Sequence, residues 1–300
     1  MSLLKETKRL LRYYRIIPKK RLGQNFLIDE DAIYKMIDYA SINGEDVILE
    51  VGAGFGFITE RMARNAGRVI AVEIDGRLVR ALRKRLGAYN NVEILHGDVM
   101  RIDITGFNKV VSTPPYSISS PLHFWLLNRE FELAILSFQE EFARRLVAPM
   151  GSRNYGRLTI ATYYRADVEI LDTIPKEAFW PTPKVDSLIV RLRPKRPPFK
   201  VENEKIFFDV VRAIFTQRNR KIRNAIKPFL GRFRIPNDEM RRIADSLPFS
   251  NRRPRELSPE EIGLISDCIL EKLERLNLLN GKLKARNDHY ENFYHSTIGV

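Results

Sequence analysis

Val47-Ile48-Leu49-Glu50-Val51-Gly52-Ala53-Gly54-Phe55-Gly56 decides how this chain folds. Its first five residues are mostly aliphatic and β-branched and read as a buried strand. The three alternating glycines read as a tight turn. Ile58 to Asn65 then sets apolar residues three and four apart, as a helix does. Strand, glycine turn and helix in that order form the nucleotide-binding corner of an open α/β sheet. The dinucleotide fingerprint Gly-x-Gly-x-x-Gly needs glycine at position 57, where this chain has Phe57, which demotes hydride transfer. Gly-x-Gly-x-Gly preceded by Glu50 is instead the form used for S-adenosylmethionine, whose aminocarboxypropyl group lies against such a loop. Alone the loop is a weak signal, because glycines also permit turns that bind nothing.

Outward from this corner the same alternation continues. Strands are expected at Val47–Val51, Arg68–Ile74, Val92–His96, Lys109–Ser112, Leu133–Phe138, Val168–Leu171 and Ser187–Leu192. Helical spacing at Asp29–Ala40, Ile58–Asn65 and Leu78–Leu86 implies a seven-stranded parallel sheet with crossover helices, although no long helix separates the last two strands. Arg193-Pro194-Lys195-Arg196-Pro197-Pro198-Phe199 places three prolines in seven residues and marks a boundary. Beyond it the pattern is helical at Glu204–Phe215, Asn219–Leu230, Asn237–Ser246 and Pro259–Leu276. The expected organisation is a basic N-terminal extension at 1–22, a catalytic domain at 23–195, a basic helical domain at 196–276 and a polar tail at 277–300.

Two acids accompany the glycine loop. Glu73 ends the second strand and Asp98 follows the third, both at carboxyl ends where open sheets bind ligands. Glu73 is placed to accept both ribose hydroxyls and Asp98 the adenine amino group, although Asp75 and Asp103 are easily confused with them. After the fourth strand comes Ser112-Thr113-Pro114-Pro115-Tyr116. An exocyclic amine is a poor nucleophile because its lone pair is delocalised into the ring. A site that methylates one needs acceptors for both amine hydrogens, here a side-chain oxygen and a neighbouring carbonyl. Tyr116 would stack on the base, and Phe179, in Phe179-Trp180-Pro181-Thr182-Pro183-Lys184-Val185-Asp186-Ser187, would close the other side of a flipped-out adenine.

Charge points to the partner. The net charge of +14 is concentrated in residues 1–22, at +7, and residues 196–256, at +9, leaving the rest at −2. Basic flanks around a near-neutral body suit arms that grip a polyanion, since neutralised phosphates release counterions. A solvated basic surface is the plainer alternative, and membrane binding by Leu3 to Tyr14 a minor one. No apolar run reaches bilayer length, and the N-terminus does not read as a secretory signal. With one cysteine, Cys268, and histidines scattered at 96, 123, 289 and 295, neither a disulfide nor a metal site is expected. The expected location is the cytoplasm.

Over residues 19 to 260 the chain resembles the ribosomal RNA small-subunit adenine dimethyltransferase family, in its archaeal branch. The resemblance is carried by Lys20-Arg21-Leu22-Gly23-Gln24-Asn25-Phe26-Leu27, the glycine loop, Glu73, Asp98, the Pro-Tyr motif, Asn154-Tyr155-Gly156-Arg157-Leu158 and the Phe179 to Ser187 segment. It implies a class I methyltransferase fold, a Rossmann-like seven-stranded α/β sheet with a smaller C-terminal helical domain. It further implies S-adenosylmethionine as cofactor and two adjacent adenosines near the 3′ end of small-subunit RNA as substrate. A monomer working on a pre-small-subunit particle is expected. Cofactor binding would involve Gln24, Asn25 and Leu27 at the methionine end, with Glu50, Gly52, Gly54, Glu73, Ile74, Asp98, Val99 and Thr113. Thr113, Pro114, Pro115, Tyr116 and Phe179 would hold the target base. Arg218, Arg220, Lys221 and Arg223 would contact RNA. One departure is clear: the family reads Asn-Leu-Pro-Tyr or Asn-Ile-Pro-Tyr where this chain has Thr113-Pro114-Pro115-Tyr116. Thr113 favours an alternative, a ribosome-assembly factor that has lost turnover, while the intact acids oppose it. A large-subunit methyltransferase conferring antibiotic resistance ranks lower because of the extended basic helical domain.

Overall fold

A computed structural model describes residues 2–279. The chain forms two compact units, residues 2–143 with 167–194 and residues 144–166 with 195–279.

The first unit opens with helix α1 (Leu3–Tyr13), a short strand β1 (Phe26–Leu27) and α2 (Glu30–Ala40), whose first turn is capped by the Asp29 carboxylate accepting from Ala32 N at 3.1 Å. Then come β2 (Val47–Val51), α3 (Phe57–Ala63), β3 (Arg68–Glu73), α4 (Gly76–Leu86), β4 (Val92–His96), β5 (Lys109–Ser112), α5 (Ser119–Leu126), β6 (Leu133–Gln139) and α6 (Glu140–Leu146). After α7 (Arg157–Arg165), the strands β7 (Ala166–Ile174), β8 (Phe179–Trp180) and β9 (Ser187–Pro194) complete it. The seven-stranded sheet runs β4-β3-β2-β5-β6-β9-β7. Its β4, β3, β2, β5 and β6 are mutually parallel, and Ile48, Leu49, Val69, Val110, Ala134 and Ile135 are buried along them, as strands covered on both faces require.

Three expectations are corrected here. The sheet is not wholly parallel, because β9 runs antiparallel to β6. The connection from β7 to β9 contains only β8 and a single 3-10 turn, and a parallel return would have needed a crossover helix. The N-terminal segment is not a free extension. Leu3, Leu11 and Ile16 are buried in the same apolar cluster as Phe26, Phe57 and Phe179. At about 1.5–3 kcal/mol per buried aliphatic side chain, docking easily outweighs leaving α1 in solvent. Finally, residues 144–166, expected within the catalytic domain at 23–195, belong to the second unit. There Tyr155 OH donates to Leu257 O at 2.8 Å, and Tyr164 packs edge-on to Phe199 with centroids 5.1 Å apart.

The second unit is helical, with α8 (Glu204–Thr216), α9 (Ile222–Ala225), α10 (Lys227–Leu230), α11 (Asn237–Asp245) and α12 (Pro259–Arg275). Phe207, Val210, Val211 and Ile214 recur three and four apart on α8 and are fully buried, as are Ile262, Ile265, Ile269 and Leu273 on α12. Ser258 opens α12 with a capping box: Glu261 N donates to its hydroxyl at 3.2 Å and Ser258 N donates to the Glu261 carboxylate at 2.8 Å. The single helix expected over Asn219–Leu230 is instead two short ones, because Pro228 lacks the N–H that a continuous helix would donate to Asn224 O. Of the segment expected as a tail, Leu279 is buried and residues 280–300 lie outside the described residues. No helix among the described residues is long and apolar enough to cross a membrane.

Candidate active site

Strand order reverses at β2, with β3 and β4 on one side and β5 and β6 on the other, so a crevice opens between the carboxyl ends of β2 and β5. Ser112 shapes it. Its buried hydroxyl donates to Val51 O at 2.6 Å and accepts from Val51 N at 3.3 Å, substituting for backbone pairing beyond Leu49 and Val110. The cleft there holds about 620 Å³ of empty space, with the open solvent at its mouth included. Gln24, Asn25, Leu27, Glu50, Gly52, Gly54, Glu73, Ile74, Thr113 and Pro115 of the expected set all line it.

The glycines serve distinct contacts. Gly52 has φ +79°, and a Cβ there would lie 2.9 Å from Pro115 Cδ, so the glycine turn and the Thr113–Tyr116 loop touch at a point that admits no side chain. Gly56 has φ +78°, and its Cβ would meet Leu82 at 2.7 Å, so this third glycine lets α4 pack on the turn while Phe57 starts α3.

Glu73 does more than face a ligand. One carboxylate oxygen accepts from Gly54 N at 3.0 Å and the other from Asp75 N at 2.9 Å, so this buried acid fixes the glycine turn. Burial raises its pKa against those two donors. Glu50, fully buried beneath the turn, accepts from the Thr59 hydroxyl, and burial, with Glu73 nearby, pushes its pKa up to about 8.

Asp98 sits one strand over. Gly97 N donates to Glu73 O at 3.0 Å, and the Asp98 side chain accepts from Met100 N at 3.0 Å with Arg101 at 3.6 Å. Asp98 and buried Val99 stand outside the residues that line the cleft.

The Gln24 side chain is spoken for at both ends. Its oxygen accepts from Lys19 N at 2.8 Å and its amide donates to Asp75 at 3.1 Å. Asp75 also receives Arg77 at 2.6 and 2.9 Å, which holds its carboxyl far below the usual range despite burial. Asp75 is thus an ion-pair partner and the cap of α4, and it is not among the residues that line the cleft. Phe26, Phe57, Ile58 and Leu78 also line the cleft. Helical spacing marked Ile58 and Leu78 in advance, and Phe26 stood inside the Lys20–Leu27 motif.

On the target side, Tyr116 and Phe179 meet edge to face, centroids 6.3 Å apart. Tyr116 OH shares a 2.8 Å hydrogen bond with Ser187, and burial raises its pKa. Phe179 is buried, on a two-residue ladder that pairs it with Leu27. Pro114 is buried as well.

A profile of ribosomal RNA adenine dimethylases matches residues 18–257. This chain belongs to that family. Among its relatives, a probable ribosomal RNA small subunit methyltransferase A of Methanosarcina acetivorans is 43% identical over 84% of this chain and 94% of its own length. One of the same description from Pyrococcus abyssi is 42% identical over 87% and 96%. Similar solved structures include a dimethyladenosine transferase from Plasmodium falciparum (28% identical, TM-score 0.69, covering 83% of this chain and 97% of that one). The 23S rRNA methyltransferase ErmE is also similar (27%, TM-score 0.61, covering 81% and 98%).

Both solved relatives are methyltransferases, and the fold is that of class I methyltransferases, with S-adenosylmethionine as cofactor. The cleft fits that group: the side-chain-free turn admits close approach, the Glu73 carboxylate has acceptor capacity left for hydroxyls, and Phe26, Phe57 and Leu78 supply apolar wall. Thr113 lines the cleft, and its hydroxyl makes no hydrogen bond among the described residues. In the helical unit the four expected RNA contacts divide. Arg220 and Lys221 are exposed and Arg223 is half-buried, whereas Arg218 donates to Arg153 O at 2.8 Å and Ser152 O at 3.2 Å and pins that loop.

Proposed function

We propose that this protein dimethylates the exocyclic N6 of two adjacent adenosines near the 3′ end of small-subunit ribosomal RNA, as a cytoplasmic monomer acting on a pre-small-subunit particle. The observation that carries the reading is the contact between the glycine turn and the Pro-Pro-Tyr loop, with a Gly52 Cβ position 2.9 Å from Pro115. It joins the cofactor cleft to the acceptors that an adenine amine needs. When bound, the cofactor supplies a methyl group made electrophilic by its sulfonium. The chain's part is positioning. Thr113 Oγ1 and the Pro114 carbonyl take the two amine hydrogens, which draws the nitrogen lone pair out of conjugation. Tyr116, held by Ser187, and Phe179 supply the aromatic faces for the base. No side chain has to remove the proton before transfer, and burial keeps the Tyr116 phenol protonated.

The small-subunit substrate is favoured over a large-subunit one because the relatives described as small-subunit enzymes are 42–43% identical, against 27% for ErmE. An assembly factor without turnover is not favoured, since Glu73 and the glycine turn are assembled around the cleft. Mass spectrometry of small-subunit RNA from cells with and without the gene is the test. Loss of dimethyladenosine in the deletion supports the reading, and an unchanged RNA overturns it.

A further inference from the structure

Helices α1 and α4 both belong to the first unit, and they meet. Glu6 pairs with Arg85 at 3.3 Å, Lys84 donates to Tyr13 OH at 3.0 Å, and Arg77 reaches Ile17 O at 3.5 Å. The apolar side of α1 is consumed by this docking: Leu3 and Leu11 are buried, and Lys8 lies 4.3 Å from the Trp180 ring centroid. What remains outward is basic, apart from the exposed Tyr13 and Ile17. Arg9 and Arg12 are exposed on α1, and Arg80 and Arg83 are exposed on α4. None of the four has an acidic partner among the described residues, because the neighbouring acids are committed elsewhere. Glu6 and Glu60 are bound by Arg85 and Asp75 by Arg77.

We infer that α1 and α4 form a second RNA-docking surface on the catalytic unit, one that takes the phosphate backbone of an RNA helix through Arg9, Arg12, Arg80 and Arg83. Residues 1–17, which carry half of this surface, lie outside the part of the chain that matches the dimethylase profile. The choice of polyanion rests on the ribosomal RNA reading above. Charge complementarity argues for phosphates, and four unpaired guanidinium groups on an exposed helix pair are suited to backbone contacts that carry no sequence information. An anionic membrane is the lesser match. A helix that lies in a bilayer interface needs a continuous free apolar face, and on α1 Leu3 and Leu11 are already buried, which leaves only Tyr13 and the following Ile17 exposed.

The test is salt-dependent binding of the full chain to a mixed-sequence RNA duplex two helical turns long. Replacing Arg9, Arg12, Arg80 and Arg83 together by Gln should flatten the plot of log affinity against log salt by about 3, at ~0.7 to 0.9 per phosphate. Lys at all four positions should restore the slope. S-adenosylmethionine affinity and the thermal midpoint, both unchanged, report that the variants fold. An unchanged slope in the Gln variant overturns the inference whatever the methylation result. Binding of the wild type to phosphatidylserine vesicles, abolished by the Gln set while the RNA slope stays put, overturns it in favour of a membrane. If the slope falls as expected yet the wild type transfers no methyl to small-subunit RNA, the surface stands and the substrate assignment falls.

Discussion

Glu50 is the residue whose replacement tests the electrostatics of the cleft. Its carboxyl is fully buried, accepts from Thr59 and lies near Glu73, which together leave its pKa at about 8 instead of 4.5. An acid with a raised native pKa keeps its proton in the folded chain while the unfolded chain releases it. The unfolded state therefore binds fewer protons between about pH 4.5 and 8, and stability falls as pH rises through that window. At about 1.4 kcal/mol per pH unit, the loss between pH 5 and pH 8 is on the order of 4 kcal/mol. Glu50→Gln keeps an oxygen for Thr59 and removes the titration. The variant should match or trail the wild type at pH 5 and exceed it at pH 8, with the difference in thermal midpoint widening by on the order of 10 °C. Scanning calorimetry at half-unit pH steps measures this, and Glu73→Gln, whose parent carboxyl is also raised by burial, gauges the neighbour's share. Parallel curves for wild type and Glu50→Gln from pH 5 to 8 would refute the account, because they would mean that Glu50 is already ionised in the native protein.

Three further outcomes follow from the geometry. Gly52→Ala sets a side chain at φ +79° against Pro115, costing about 1–2 kcal/mol in backbone conformation; single-turnover methylation should fall more than cofactor affinity does, and equal losses would mean the two loops act independently. Thr113→Ala should slow methyl transfer by about fivefold to 150-fold, for roughly 1–3 kcal/mol of lost hydrogen bonding, with Thr113→Asn faster than wild type and monomethyladenosine accumulating in the wild type; wild-type rates in Thr113→Ala would remove the hydroxyl from the chemistry. Arg218→Ala should lower the urea midpoint through the freed carbonyls of Ser152 and Arg153, whereas alanine at Arg220, Lys221 and Arg223 should flatten the salt dependence of RNA binding by about 2–3 with stability unchanged.

Much of this molecule is written locally. The strands Val47–Val51, Val92–His96 and Lys109–Ser112 fall where their aliphatic runs end in turn residues, and α8 and α12 follow apolar spacings of three and four. The cofactor loop was legible for a similar reason: glycine is the residue type that admits both a left-handed backbone and a close neighbour, so its spacing carries chemistry on its face. Motif order along the chain was enough to indicate the family.

Other features were decided only by the tertiary structure. Strands of two residues have no periodicity, so nothing in Phe26-Leu27 announces the ladder that sets Leu27 against Phe179, more than a hundred residues away. Glu73 could be read as a ligand acid, but its grip on Gly54 N depends on how two strand ends register. Gln24 likewise meets Asp75 only after β1 has docked. Residues 144–166 and the N-terminal helix show the same limit. The apolar and basic spacing of Leu3 to Tyr14 fixes that this stretch is amphipathic, while the surface that each segment buries against is chosen by competition among all the apolar surfaces in the chain. Local pattern states which face must leave water; only the closed fold supplies the surface it leaves water for.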